Sequence, residues 1–156
     1  GSHYIDIIDW LFGPVNEVGS MNATLGRNIE AEDSSVINLK LKGGALASIA
    51  MTILTYPSNL ECSITIIGEK GTVKLGGPSL NKFDKWEFSE MSDKDNKIDT
   101  SQVYPSGFPH TPYYKDVLDV LQSGKKPETD GHEGIKSLKI ISAALESSRI
   151  NKNIKI

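Results

Sequence analysis

Hydrophobic positions recur along this chain with two different periods, and the change of period marks where helix gives way to strand. At the start, Tyr4, Ile7, Ile8 and Leu11 return at the spacing of one helical face. His3, Asp6 and Asp9 recur three apart on another face, and Gly13 and Pro14 stop the helix in the usual order. Beyond Pro14 the period falls to two. Val15 to Leu25 is a weak strand and Ser35 to Leu41 a clear one, with Ile37, Leu39 and Leu41 on one side and Asn38 and Lys40 on the other. Lys42, Gly43 and Gly44 supply a hairpin turn. Ala45 to Tyr56 is the next strand, closed by Pro57, and Leu60 to Ile67 alternates again before Gly68 to Gly71 turns the chain into Thr72 to Leu75. Short turns require these strands to be antiparallel.

Residues 76–108 are less regular. Trp86 and Phe88 mark one more strand, and the charged run from Glu90 to Asp99 reads as a solvated excursion. Two helices follow. Thr111 and Pro112 open the first, whose expected buried stripe is Tyr113 or Tyr114, Val117, Leu118 and Leu121, with Ser123 and Gly124 ending it. Asp130 and Glu133 have capping-box spacing ahead of the second, whose expected stripe is Ile135, Leu138, Ile141 and Leu145. Asn151 to Asn153 breaks that helix before a short Ile154 to Ile156 strand. The plan is α+β: an open antiparallel sheet, mixed at its edge, with helices packed on one face. On the other face Ser48, Ala50, Thr52, Ser63 and Thr65 are small and uncharged, so a partner can approach closely, although threonine also favours any exposed strand.

Composition narrows the classes. With 156 residues and 38% hydrophobic content, one domain burying roughly two-thirds of its unfolded surface is expected. A net charge of -3 and a pI near 5.6 give no basic field for nucleic acid or anionic membranes. Cys62 is the lone cysteine, which excludes an internal disulfide, leaves no zinc spacing and fits a reducing cytoplasm. No apolar run reaches membrane-span length and no signal peptide precedes the first helix. No glycine-rich phosphate-binding pattern occurs.

His3 is the candidate catalytic group. An imidazole titrates near neutral pH, and here it sits at the entrance of an amphipathic helix with Asp6 one turn on. The plainer alternatives are a surface or capping histidine, or Gly-Ser-His left by a cleaved affinity tag.

Three segments carry a family resemblance: HYIDIIDWLFGPV, YPSNLECSITIIGEKGTVKLGG and HTPYYKDVLDVLQSGKKPETDGHEGIKSLKIISAALESS. They resemble the C-terminal domain of the Gfo/Idh/MocA oxidoreductases in unbroken order over nearly the whole chain. Within that group they are most similar to UDP-N-acetyl-2-amino-2-deoxyglucuronate dehydrogenases of bacterial surface-polysaccharide synthesis. The family helix opens with Gly-x-His-x-x-Asp, which reads Gly1 to His3 as native. The resemblance implies an enzyme that oxidises a sugar carbinol, the 3-hydroxyl of a UDP-N-acetyl-hexosaminuronate, by hydride transfer to NAD held on an N-terminal Rossmann domain. The histidine matching His3 then shares the hydroxyl proton with a lysine of that domain, and Asp6 orients His3 or binds a sugar hydroxyl. Softer substrate contacts are Asn59, Glu61, His110, Tyr113 and Tyr114, with core packing the alternative for one tyrosine. The resemblance also implies a homo-oligomer assembled through the open sheet face. The Rossmann unit, its lysine motif and the family's polar residue four positions before the histidine lie outside these 156 residues, so the chain alone is expected to bind no cofactor and no metal and to be inactive. The alternatives are a non-catalytic assembly module, or a dehydrogenase of the same family acting on inositol or another sugar.

Overall fold

A computed structural model describes residues 1–103 and 110–156. The elements in chain order are α1 (Ser2–Phe12), β1 (Val15–Ala23), β2 (Ser34–Leu41), β3 (Leu46–Thr52), β4 (Ile64–Gly68), β5 (Gly71–Gly76), β6 (Lys82–Phe88), a 3-10 turn (Asp95–Lys97), α2 (His110–Ser123), α3 (Gly131–Ile150) and β7 (Ile154–Lys155). The expected α+β class holds, and every pairing between described strands is antiparallel, the edge strand β7 included. The strands fall into two sheets, ordered β3-β2-β1-β7 and β4-β5-β6. One domain was the expectation from length; the contacts gather the chain into two compact units, residues 1–54 with 127–156, and residues 55–126. The far end of the expected irregular stretch, 104–108, lies outside the described residues. Among the described residues no helix is long and apolar enough to cross a membrane.

In the first unit, β2 alternates as its sequence requires: Ile37, Leu39 and Leu41 are buried while Val36, Asn38 and Lys40 are exposed. The buried side joins Ile5 and Ile8 of α1, Val15 and Val18 of β1, Ile49 of β3, and Ile140, Ala143 and Ala144 of α3 in one core. Fully burying a side chain such as Ile5 or Leu41 contributes about 1.5–3 kcal/mol. The helix faces depart from expectation. In α1 the most buried residue is Ile5, with Ile8 beside it, whereas Tyr4 and Ile7 are half-buried and Leu11 is exposed.

The departure in α3 is larger. Its buried face is Ser137, Ile140, Ala143, Ala144 and Ser147, while Ile135, Leu138 and Leu145 of the expected stripe are exposed and Ile141 is half-buried. The reason lies in β1. Beyond Val18, where β7 ends its pairing, the edge of β1 is open, and the N–H groups of Ser20 and Asn22 donate to the hydroxyls of Ser147 (3.0 Å) and Ser148 (2.9 Å). A backbone donor left unmade inside the fold is costly, so the serine side of α3 is the one that turns inward. Both ends of α3 form as their sequence predicts. Asp130 caps it by accepting from the N–H groups of His132 (2.9 Å) and Glu133 (3.1 Å), and Asn151 closes it in the left-handed conformation at φ 53°.

The connection from β1 to β2 is held by a buried carboxylate. Asp33, 3% exposed, accepts the N–H groups of Leu25 (2.9 and 3.0 Å), Gly26 (2.8 Å) and Arg27 (2.9 Å) and the hydroxyl of Ser34 (3.1 Å). Its own carbonyl accepts the N–H of Ile53 at 3.0 Å, and the Arg27 guanidinium donates to the Ile53 carbonyl at 3.3 Å. β3 therefore ends at Thr52, four residues short of the expected Tyr56, where its continuation is drawn onto this loop.

In the second unit, β4 begins at Ile64 instead of Leu60, and Phe83, Trp86 and Phe88 of β6 stack edge-to-face with centroids 5.1 and 4.9 Å apart. Gly71 is required there, since a Cβ would meet the Phe88 ring at 2.4 Å and the Glu87 carbonyl oxygen at 2.8 Å. α2 forms at its expected place but buries no residue: Leu118 and Leu121 are exposed and Val117 is half-buried. Helical spacing makes an apolar stripe without providing a layer to cover it. The small residues expected on one open face divide between sheets, Ser48, Ala50 and Thr52 on β3 and Thr65 on β4, with Ser63 just before it.

Asp33 makes a test of this fold. The backbone donors, that of Leu25 foremost, outweigh the opposing effect of burial and lower its pKa to about 2. A carboxyl depressed below its unfolded value stabilises the fold above pH 4 or so, and that contribution fades as pH falls toward 2. In thermal melts, Asp33→Asn is expected to lower Tm at pH 7 by a steady margin that persists down to about pH 4 and closes by about pH 2. A margin independent of pH would show that the charge of Asp33 does not hold the loop.

Candidate functional site

His3 stands in the first turn of α1 and is exposed. Its backbone is fixed from both sides. The Gly1 carbonyl accepts the N–H groups of Tyr4 (3.1 Å) and Ile5 (3.4 Å), Ile5 is sunk in the core, and Gly1 lies so close to Met51 of β3 that a Cβ would come within 2.8 Å of its Sδ. A helix start held in this way sets the approach of a proton-transfer group at the backbone from which the exposed imidazole projects. Asp6, one turn on, is also exposed. No hydrogen bond or ion pair ties Asp6 to His3 among the described residues. The third polar position of that face behaves otherwise, because Asp9 Oδ1 accepts the Val15 N–H at 3.3 Å and fastens the turn into β1. Of the three, His3 and Asp6 are exposed.

The remaining predicted residues belong to the second unit. The Asn59 amide donates to Cys62 Sγ at 3.1 Å. Glu61 pairs with Lys74 of β5 at 3.3 Å, and the Ser63 hydroxyl, ahead of Lys74, holds its carboxyl below the usual glutamate range. His110 opens α2 and is exposed. Tyr113 and Tyr114 meet edge-to-face with centroids 5.6 Å apart at 65°. Both are exposed, so the core packing entertained for one of them is not found. The predicted residues thus fall in three places: His3 and Asp6 on α1, Asn59 and Glu61 ahead of β4, and His110 with the tyrosine pair on α2.

Sequence reasoning passed over Lys74 and Asp33. An acidic residue just ahead of a strand, after a loop containing a glycine, is the only signal for Asp33, and it is too common to single a residue out. Among the described residues no group of three or more His, Cys, Asp or Glu is placed to hold a metal ion. The pyrophosphate of a dinucleotide rests on a parallel strand-turn-helix unit, and every described strand pairing is antiparallel.

The family model described as "Oxidoreductase family, C-terminal alpha/beta domain" matches residues 1–156. The WlbA dehydrogenase of Bordetella pertussis, solved in complex with NADH and UDP-GlcNAcA, is similar at 48% identity and TM-score 0.89 over 99% of this chain and 46% of that one. The WlbA dehydrogenase of Chromobacterium violaceum, also with NADH and UDP-GlcNAcA, is similar at 46% identity and TM-score 0.90 over 99% of this chain and 44% of that one. A levoglucosan dehydrogenase with NADH and L-sorbose shares the fold alone, at 14% identity and TM-score 0.83 over 99% of this chain and 48% of that one. No curated protein matches. The chain spans a little under half the length of each of these enzymes.

The Glu61 cluster gives a direct test. Its carboxyl should titrate below that of an ordinary glutamate when followed by NMR, and Ser63→Ala and Lys74→Met should each raise it, since the hydroxyl and the ammonium both lower it. An ordinary titration in the unaltered protein would mean that Glu61 is not held by these partners.

Proposed function

Because the chain belongs to the Gfo/Idh/MocA oxidoreductases, as their C-terminal alpha/beta domain, we propose that it is the substrate-binding and subunit-assembly half of an NAD-dependent nucleotide-sugar dehydrogenase. The observation that carries this reading is the 48% identity, over 99% of the chain, to a dehydrogenase crystallised with UDP-GlcNAcA. Identity at that level over a whole domain supports a shared substrate class, here a UDP-N-acetyl-hexosaminuronate oxidised at its 3-hydroxyl. Nicotinamide, held by a dinucleotide-binding domain outside these residues, supplies the hydride acceptor.

This chain's own share is binding and proton handling. As the carbinol is oxidised its hydroxyl proton must leave, and in this reading the His3 imidazole takes it, in concert with a lysine of the cofactor domain. Asp6, on the same helix face and without a partner among the described residues, binds a sugar hydroxyl. The Tyr113–Tyr114 pair offers an aromatic edge and face for the uracil ring, with His110 and Asn59 as polar contacts. Glu61 is the weakest of the proposed contacts, since Ser63 and Lys74 already engage its oxygens. The enzyme is placed in the cytoplasm, in keeping with the free thiol of Cys62.

Assembly is read from the open side of the four-stranded sheet, where Val36, Leu46, Ser48, Ala50 and Thr52 are all exposed. A face of small and apolar side chains, with Lys40 as its one charge on β2 and β3, suits a second copy packed face to face.

His3→Asn in the full-length enzyme is expected to lower kcat by about 10²- to 10⁴-fold with Tm unchanged. Undiminished turnover across the pH range would remove His3 from the reaction, and turnover of inositol in preference to the nucleotide sugar would overturn the substrate class. For assembly, Ala50→Arg is the sharper variant, because the Thr52 hydroxyl is already engaged with Ser34 and Leu54. Burying an unpaired guanidinium should dissociate the oligomer in light scattering. A wild type that is monomeric throughout the accessible concentration range would end this reading.

A further inference from the structure

The core face of the four-stranded sheet changes character toward one end. Val18, Ile37, Leu39 and Ile49 of that face are buried in the core. Further along the same face stand Ser20 and Asn22 on β1, Ser35 on β2 and Met51 on β3, all half-buried. Asn22 pairs with Ser35 and Ser35 with Met51, so these three side chains form one row across adjacent strands about 4.8 Å apart. The row ends at the start of α1, the helix that carries His3, because a Cβ on Gly1 would come within 2.8 Å of the Met51 Sδ.

The hydrogen bonds of this row are one-sided. The hydroxyls of Ser20 (2.7 Å) and Ser35 both donate to Asn22 Oδ1, and the main-chain N–H of Asn22 is taken by Ser148. With its oxygen so engaged the carboxamide is held in one orientation. Its amide nitrogen, which carries two donors, has no partner among the described residues and is not sealed from solvent. The Ser35 hydroxyl has spent its proton on Asn22, so it offers a further partner its lone pairs. The row therefore presents a donor, an acceptor and an apolar thioether in succession, with no charge among them. An anionic group would find no cation there. A secondary amide with a short apolar end is the complement: its carbonyl accepts, its N–H donates and its methyl group packs on sulfur. On a UDP-N-acetyl-hexosaminuronate that description fits the acetamido group, which is attached to the carbon next to the one bearing the 3-hydroxyl.

We propose that Asn22 and Ser35 determine specificity for the acetamido group of the sugar, the Asn22 amide donating to its carbonyl and the Ser35 hydroxyl accepting from its N–H, with its methyl group against Met51. The inference rests on the dehydrogenase reading above and adds to it which part of the sugar this sheet face reads. A sugar with a hydroxyl in that position leaves the Asn22 donors and the Met51 surface unmatched, and a site built to pair a polar group rejects the analogue that lacks it.

The test is calorimetric titration of the full-length enzyme, in the presence of NADH, with UDP-GlcNAcA and with UDP-glucuronate, which carries a hydroxyl in place of the acetamido group. The unaltered enzyme is expected to bind the acetamido sugar roughly tenfold or more the tighter. Asn22→Asp keeps the acceptor for Ser20 and Ser35 and removes only the amide donors, whereas Ser35→Ala removes the acceptor. Each should shrink the preference by about two- to tenfold, the net value of one hydrogen bond. The ratio of the two affinities is the readout, since a loss of folded protein or the added charge of the aspartate acts on both sugars alike. A preference that survives unchanged in both variants, or equal affinity of the unaltered enzyme for the two sugars, overturns this inference and leaves the dehydrogenase reading standing. An unaltered enzyme that binds neither sugar overturns both.

Discussion

The open edge of β1 is the constraint on which the first unit depends. β7 pairs with only Glu17 and Val18, and the donors beyond them must be met by something other than a strand. Ser147 and Ser148 meet them from α3. That choice sets the rotation of the helix, which brings Ile140, Ala143 and Ala144 onto the sheet and carries the bulkier stripe outward. Small side chains let α3 lie close, and α1 packs beside it with Ile5 and Ile8 directed into the same core. The fixed backbone at His3 follows from that packing. A hydrogen-bonding requirement on a strand edge is thereby passed, through one helix, to the geometry of another.

A carboxylate does similar work just beyond that same end of β1. Asp33 gathers three consecutive N–H groups of the β1–β2 loop, and its carbonyl reaches Ile53 as β3 ends. Such a buried charge survives because donors replace the water it has lost. Asp9 does the same on a smaller scale where α1 turns into β1. Three of the joints in this unit are therefore made by polar side chains acting on main chain, with the apolar core filling what they enclose.

Much of this was legible in the sequence and some was not, for identifiable reasons. Period-two alternation is a local property, so the faces of β2 read correctly from Ile37 to Leu41. Local chemistry also announced Gly13, Asp130 and Asn151 as helix ends. The faces of α1 and α3 misread because periodicity ranks positions by bulk, whereas the fold ranks them by which side can approach a strand and satisfy its donors. Strand ends misread at Thr52 and Ile64, where the deciding partner is Asp33 in one case and the division into two sheets in the other. The place of His3 and Asp6 on α1 could be read because helical spacing is local. Lys74 could not, since its bond to Glu61 joins residues whose proximity depends on how β5 pairs with β4.

The seating of α3 also governs how this domain can vary in descent. At Ala143, Ala144 and Ser147, an added methyl group or two forces the helix off the strand, and overpacking of this kind costs about 1–3 kcal/mol. Leu138 and Leu145, the residues that look like core, are free on this unit's own account to become polar. A lineage of such domains would keep its inconspicuous alanines and serines and let its leucines drift, so a substitution scale built on hydrophobicity would assign the strongest constraint to the wrong side of the helix.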